Sequence, residues 1–299
     1  MKNYDLAIAY KWKYDSEFVE LIEENFQKSG LTTFVIGKFN VGEIIKRIKT
    51  KEILFKAFLD RASDEDTEFI PLAALLKRKN CYLINPMIKV SKTIDKTRLH
   101  KKLSANKFRL PKTLFFPKYI DESSINIDEK DLVKIGNPFI IKPATFSGGG
   151  EGVIRNAQSF HDVQTERIKN RNDKYLVQEK IHPRTFNGRR AWFRVINAFG
   201  KIIPCWWDDH SHIYFRVTDK EIEQFNLKQL IKISRRLAKI SRLDYFSTEI
   251  AVTKNHKFIL IDYINDQCDM RLKSNHKDGV PDDVVGEFIE SMKQRIIKF

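Results

Sequence analysis

Residues 137–153 read NPFIIKPATFSGGGEGV, and this stretch decides the fold. The apolar run ending at Lys142 predicts a buried strand. Four of the chain's 12 glycines follow it closely, at Gly148, Gly149, Gly150 and Gly152. Successive glycines let backbone N–H groups approach an anion with no Cβ in the way. A lysine ending the strand supplies a point charge for phosphate oxygens, and Ser147 adds a hydroxyl donor. The spacing is neither that of a Walker loop nor G-x-G-x-x-G. Three glycines alone would equally suit a hairpin turn, and the lysine-ended strand before them favours the anion cradle.

A second signal is acidic. Residues 247–264, STEIAVTKNHKFILIDYI, predict a hairpin turning at Lys254, Asn255 and His256. Folding it brings Glu249 close to Asp262, with Asn265 just beyond. Two carboxylates and an amide oxygen converging on one sheet face form an oxygen-ligand set suited to Mg²⁺. Acids inside apolar strands need a cation or hydrogen bonds to offset their desolvation. Two acids at strand ends facing water are the plainer alternative.

Around these signals the chain alternates strands and helices, as α/β and α+β folds do. Residues 4–10 read as a strand, 17–27 as an amphipathic helix ended by Gly30, and 32–36 as a strand, a βαβ opening. Helices are predicted over 41–49, 69–79, 95–106, 225–241 and the C-terminal stretch from Pro281. Strands are predicted over 81–86, 110–116, 137–144 and 175–181, and a hairpin over 190–207 turning at Phe199 and Gly200. Apolar LFKAFL precedes Asp60 and Arg61, for which a surface ion pair is the commoner outcome. Trp206 and Trp207 are best read as a core pair, and Arg189 and Arg190 as a basic loop. The 299 residues, 42% hydrophobic and 12% aromatic, can build a substantial core.

Cys81, Cys205 and Cys268 are odd in number and widely spaced, against a disulfide framework or structural zinc site. Cys268 has no nearby base and is not read as a nucleophile. No signal-peptide core or apolar span is visible, so a cytoplasmic protein with no membrane partner is expected. The net charge of +15 favours anionic partners, but its lysines and arginines are scattered. No specific nucleic-acid partner is expected.

These motifs, together with Asp95-Lys96, resemble the ATP-grasp superfamily, which includes D-alanine–D-alanine ligase, glutathione synthetase and the ribosomal-protein glutamate ligases. The resemblance covers roughly residues 91–271. It implies an N-terminal α/β domain over 1–90, followed by a two-lobed fold holding ATP between two sheets. The central lobe with its glycine-rich lid would be 91–178, and the C-terminal lobe with the metal site 179–299. Lys96 and Lys142 would then contact the α- and β-phosphates. The backbone of Ser147, Gly148, Gly149 and Gly150 would close over the β- and γ-phosphates. The strand Val177, Gln178, Glu179, Lys180, Ile181 would line the adenine, read by the Glu179 carbonyl and the Ile181 N–H. Glu249, Asp262 and Asn265 would carry one or two Mg²⁺, or Mn²⁺ in its place. Arg194 would neutralise charge in phosphoryl transfer. Arg271 is a second catalytic candidate; with Asp269 it equally suits a substrate contact or a cap on the last sheet.

The implied activity is ATP- and Mg²⁺-dependent ligation of a small-molecule or peptide carboxylate to an amine, less readily a thiol, through an acylphosphate. A homo-oligomer is in keeping with related ligases. Three features depart from the pattern: the metal motif is Asp-x-x-Asn, no carboxylate follows Ile181, and residues 265–271 read NDQCDMR in place of an Asn-x-x-Pro-Gly ending. The first two motivate the alternative of a nucleotide-binding regulatory module of the same fold. A basic nucleic-acid-binding protein is a further alternative, resting on charge alone.

Overall fold

The computed structural model describes residues 1–125, 127, 129–145 and 150–299. In chain order the described residues form β1 (Lys2–Tyr10), α1 (Ser16–Lys28), β2 (Thr33–Ile36), α2 (Val41–Lys49), β3 (Ile53–Arg61), α3 (Ile70–Arg78) and β4 (Tyr82–Ile84). Next come α4 (Met87–Ile94), α5 (Lys96–Ala105), β5 (Thr113–Phe116), α6 (Glu129–Ile135), β6 (Phe139–Pro143), β7 (Ile154–Ala157), α7 (Phe160–Lys169) and β8 (Tyr175–Glu179). The chain continues with β9 (Thr185–Phe186), β10 (Arg189–Arg190), β11 (Trp192–Ala198), β12 (Lys201–Trp207), β13 (Tyr214–Arg216), α8 (Asp219–Gln224) and α9 (Lys228–Ser241). It closes with β14 (Tyr245–Val252), β15 (Phe258–Asn265) and α10 (Asp282–Ile297). This is a mixed α/β architecture with several sheets, as expected.

The chain divides into two compact units. The first comprises Met1–Val90, Arg194–Ser247 and Asn265–Phe299; the second comprises Ser91–Phe193 and Thr248–Ile264. A five-stranded sheet has the order β13-β12-β11-β14-β15.

The first unit contains a parallel sheet of order β2-β1-β3-β4. Alternation along β1 sends Ala7 and Ala9 to a cluster with Ile44 and Ile48 of α2 and Leu72 and Leu76 of α3. α1 meets α10 through the Phe18 and Phe288 rings, 5.8 Å apart. Strand β3 was read only as an apolar element, without a strand assignment. It pairs with β1 on one side and β4 on the other, and a strand covered on both faces loses the polar alternation that identifies strands in sequence. The Phe199–Gly200 turn joins β11 and β12 with φ 53° and 99°, the left-handed pair that two-residue hairpins need.

The second unit is built on an antiparallel sheet of order β5-β8-β6-β7. Phe116, Phe139, Ile141, Tyr175 and Val177 pack with Ile135 of α6 and Val163 of α7. Side chains alternate across a pleated strand, so the intervening Thr113, Phe115, Ile140, Lys142, Leu176 and Gln178 occupy the opposite face. That face carries Thr113, Lys142 and Gln178 among its polar side chains.

Candidate nucleotide site

Lys142 stands at the end of β6 on the polar face. Its ammonium donates to the Ile261 carbonyl of β15 at 3.3 Å. Burial holds it below the ordinary lysine range, opposed by the negative charges of Asp262 and Glu249; Lys96 and Arg155 push with burial. The second unit thus gathers Lys142, Lys96, Arg155, Glu249 and Asp262 into one electrostatic neighbourhood. Such a mixture of cations and carboxylates suits a polyphosphate with its counter-ion.

The helix carrying Lys96 begins because Asp95 caps it, accepting from the Arg98 N–H at 3.0 Å. Lys174 pairs with the second Asp95 oxygen at 2.9 Å, and the Lys96 N–H donates to the Ala144 carbonyl at 3.0 Å. Lys96 is thereby tied to the end of the strand that carries Lys142.

The acidic hairpin forms as expected, with His256 in the left-handed region at its turn. The Thr253 N–H donates to the Lys257 carbonyl, and the Thr248 hydroxyl donates to the Asp262 carbonyl at 2.8 Å. Both carboxylates act electrostatically on Lys142. Glu249 is buried and accepts from the Trp192 indole N–H at 3.1 Å. No cluster of three His, Cys, Asp or Glu suited to a metal occurs among the described residues. A pair of carboxylates still fits Mg²⁺, which completes its shell with water and phosphate oxygens.

The residues expected to line the adenine behave unequally. The Gln178 side chain is buried and hydrogen-bonded inside the unit, to Thr113 and Tyr263. The Glu179 carboxylate accepts from the Lys112 N–H at 3.0 Å, and Lys180 reaches Asn156 on β7. Ile181 lies just beyond β8 and is half-buried. Ser147, Gly148 and Gly149 lie outside the described residues; Gly150 has φ 86°.

Arg194, Asn265 and Arg271 belong to the first unit. The Arg194 guanidinium stacks over Trp207, 4.2 Å from its ring centroid. Arg271 donates to Asp269 at 2.7 Å and Asp278 at 2.9 Å, and these carboxylates hold its guanidinium above its usual range. At Gly279 a Cβ would come within 2.6 Å of the Leu272 backbone, so only glycine lets the 271–280 segment fold back on itself.

Three weaker readings can be followed. Arg61 is not a surface ion pair: it is buried and makes two 2.8 Å bonds to Asp15, with a third at 3.2 Å to the Cys268 carbonyl. Arg189 and Arg190 form strand β10 of a small hairpin rather than a loop. Trp206 and Trp207 are buried, as a core pair should be. The three thiols are also buried, and burial pushes Cys268 up to about 12, out of nucleophile range.

Arg155, Trp192 and Tyr263 were missed in the sequence. Arg155 had one available signal, its place in VIRN on the strand returning from the glycines. Trp192 and Tyr263 read as ordinary strand residues, since only folding reveals their polar partners.

No protein-family model matches this sequence, and no curated protein does. Solved structures do. D-alanine–D-alanine ligase from Bacillus anthracis, complexed with ATP, aligns over 100% of both chains at TM-score 0.65 and 17% identity. A RimK-domain ATP-grasp protein from Sphaerobacter thermophilus aligns over 96% of this chain and 98% of its own, at TM-score 0.59 and 17% identity. The ATP-grasp ligase PsnB, complexed with minimal precursor, Mg and ADP, covers 97% and 98% at TM-score 0.58 and 12% identity. The chain has the fold of the ATP-grasp superfamily. No helix among the described residues is long and apolar enough to cross a membrane.

Proposed function

We propose that the protein is an ATP- and Mg²⁺-dependent ligase that joins a carboxylate to an amine through an acylphosphate. The observation that carries this reading is the Lys142 ammonium on the carbonyl of Ile261, the residue before Asp262, in a field shared by Glu249, Asp262, Lys96 and Arg155. A polyphosphate fits there because fixed cations can neutralise its oxygens without reorganising during the reaction. Glu249 and Asp262 would hold Mg²⁺, and the ion would neutralise phosphate charge. Lys142 and Lys96 would orient the phosphates, and the residue 147–150 backbone would close over them and exclude water. Glu179 and Ile181 would meet the adenine edge through their backbones, leaving the Gln178 and Lys180 side chains to shape the strand.

In the first unit, Arg194, stacked on Trp207, and Arg271, fixed by two acids, are the arginines proposed for catalysis. PsnB is described with a precursor peptide and the D-alanine ligase by its amino-acid substrate, so peptides and small amino acids are the first acceptors and donors to try.

The test is ADP release from MgATP in the presence of pooled carboxylates and amines, for the wild type and Asp262→Asn. Turnover lost in a folded Asp262→Asn is the expected result. MgATP binding without ADP release under any condition would favour the regulatory module, and undiminished binding by Asp262→Asn would overturn the site assignment.

A further inference from the structure

Four residues of the second unit form a continuous hydrogen-bonded chain. The Thr113 hydroxyl lies 2.8 Å from the Pro111 carbonyl, which can only accept, so Thr113 donates there. Its oxygen then has only lone pairs for Gln178, 3.0 Å away, and this fixes the Gln178 amide with its NH₂ toward Thr113. The same NH₂ has a second hydrogen and donates it to the Tyr263 hydroxyl at 3.0 Å. Directed at His100 Nδ1, 2.5 Å away, the Tyr263 proton meets the neutral tautomer that carries its own proton on Nε2. Burial favours that neutral form, and the Phe115 ring meets the imidazole edge-on, 5.2 Å away. Gln178 and Tyr263 are each only 2% exposed, so a broken link would leave a polar group stranded.

The chain joins the elements that bear the nucleotide-site residues. His100 lies on α5, which begins with Lys96. Tyr263 follows Asp262 on β15, and Gln178 precedes Glu179 on β8. Each of the three is next to, or on the same helix as, a residue assigned to phosphate, metal or adenine. We propose that Thr113, Gln178, Tyr263 and His100 form a positioning relay for the nucleotide site, locking Lys96, Asp262 and Glu179 into one mutual geometry. This rests on the nucleotide-site reading above. It adds a role for the four side chains of this chain.

The test is calorimetric titration of MgADP into wild type, Tyr263→Phe, Thr113→Val and the double variant, well below their unfolding temperatures. The expected result is roughly tenfold weaker MgADP binding for Tyr263→Phe, as for outer-shell partners of other metal sites. The double variant should be no weaker than the worse single one, because one chain is broken once. A merely structural contact would lower the unfolding midpoint and leave the MgADP dissociation constant unchanged; a folded Tyr263→Phe with wild-type affinity therefore overturns the relay. Should Tyr263→Phe not fold, Thr113→Val at the half-buried end carries the same test. Nitrogen-15 NMR of the wild-type histidines adds a check free of mutation: a proton on His100 Nδ1 overturns the chain. A wild type that binds no MgADP defeats the nucleotide reading and the relay with it. Wild-type binding retained in the variants defeats the relay alone.

Discussion

The Lys142 ammonium donates to the Ile261 carbonyl across 3.3 Å, joining the glycine-bearing sheet to the strand that carries Asp262. A lysine in such a place loses hydration that a backbone carbonyl only partly replaces. The arrangement is understandable if the charge is kept for a ligand. Lys142→Met retains most of the side-chain volume and removes the ammonium. We expect it to remain folded, because the lost attraction to Asp262 and Glu249 is offset in part by removing the desolvation of a buried ammonium. MgATP binding should fall by more than about tenfold, the loss expected for a charge-assisted contact of roughly 1.5–3 kcal/mol. Paired urea denaturation and calorimetry measure the two effects separately.

Trp192 orients Glu249 through its indole N–H at 3.1 Å. Trp192→Phe keeps an aromatic ring there and removes the donor. The Mg²⁺ concentration needed for half-maximal nucleotide binding should rise by about tenfold, as for other lost outer-shell bonds to metal ligands. An unchanged Mg²⁺ requirement would separate Glu249 from the metal.

Asp15 and Arg61 form a buried bidentate pair in the first unit, and Arg61 also holds the Cys268 carbonyl. Arg61→Met strands the Asp15 carboxylate in the interior and should cost about 3–5 kcal/mol in urea denaturation. Adding Asp15→Leu should recover part of that loss, because the uncompensated charge is gone.

His100 has its pKa pushed down by burial to about 4, against about 6.5 for an exposed imidazole. Between these values the unfolded chain binds more protons than the folded one, so stability rises with pH. The stability due to the neutral imidazole is complete above about pH 6.5 and is lost as pH falls toward 4. Moving from pH 7 to pH 5 should remove about 2 kcal/mol through this residue. Urea denaturation of wild type and His100→Gln at both pH values isolates the contribution, since the variant lacks the titrating group.

Much of the fold was legible because its signals are local. The helix 41–49 appears over that same span, from apolar residues recurring at helical spacing. Strand β6 was marked by an apolar run before a glycine cluster, and the acidic hairpin by turn residues between two apolar runs. Strand β3 was not assigned, because burial on both faces leaves a run of apolar residues with no period to read.

The amino-acid sequence by itself determined the strand lysine, the clustered glycines and the two acids flanking a turn, since each depends on residues close together in the chain. Tertiary structure alone decided what those residues meet. Arg61 found its carboxylate 46 residues away, where a surface pair had been expected. Gln178 found Thr113 and Tyr263, 65 and 85 residues distant, and its amide was drawn inside the unit. A buried polar group must be satisfied by whatever partner packing brings to it, and that partner has no fixed spacing along the chain.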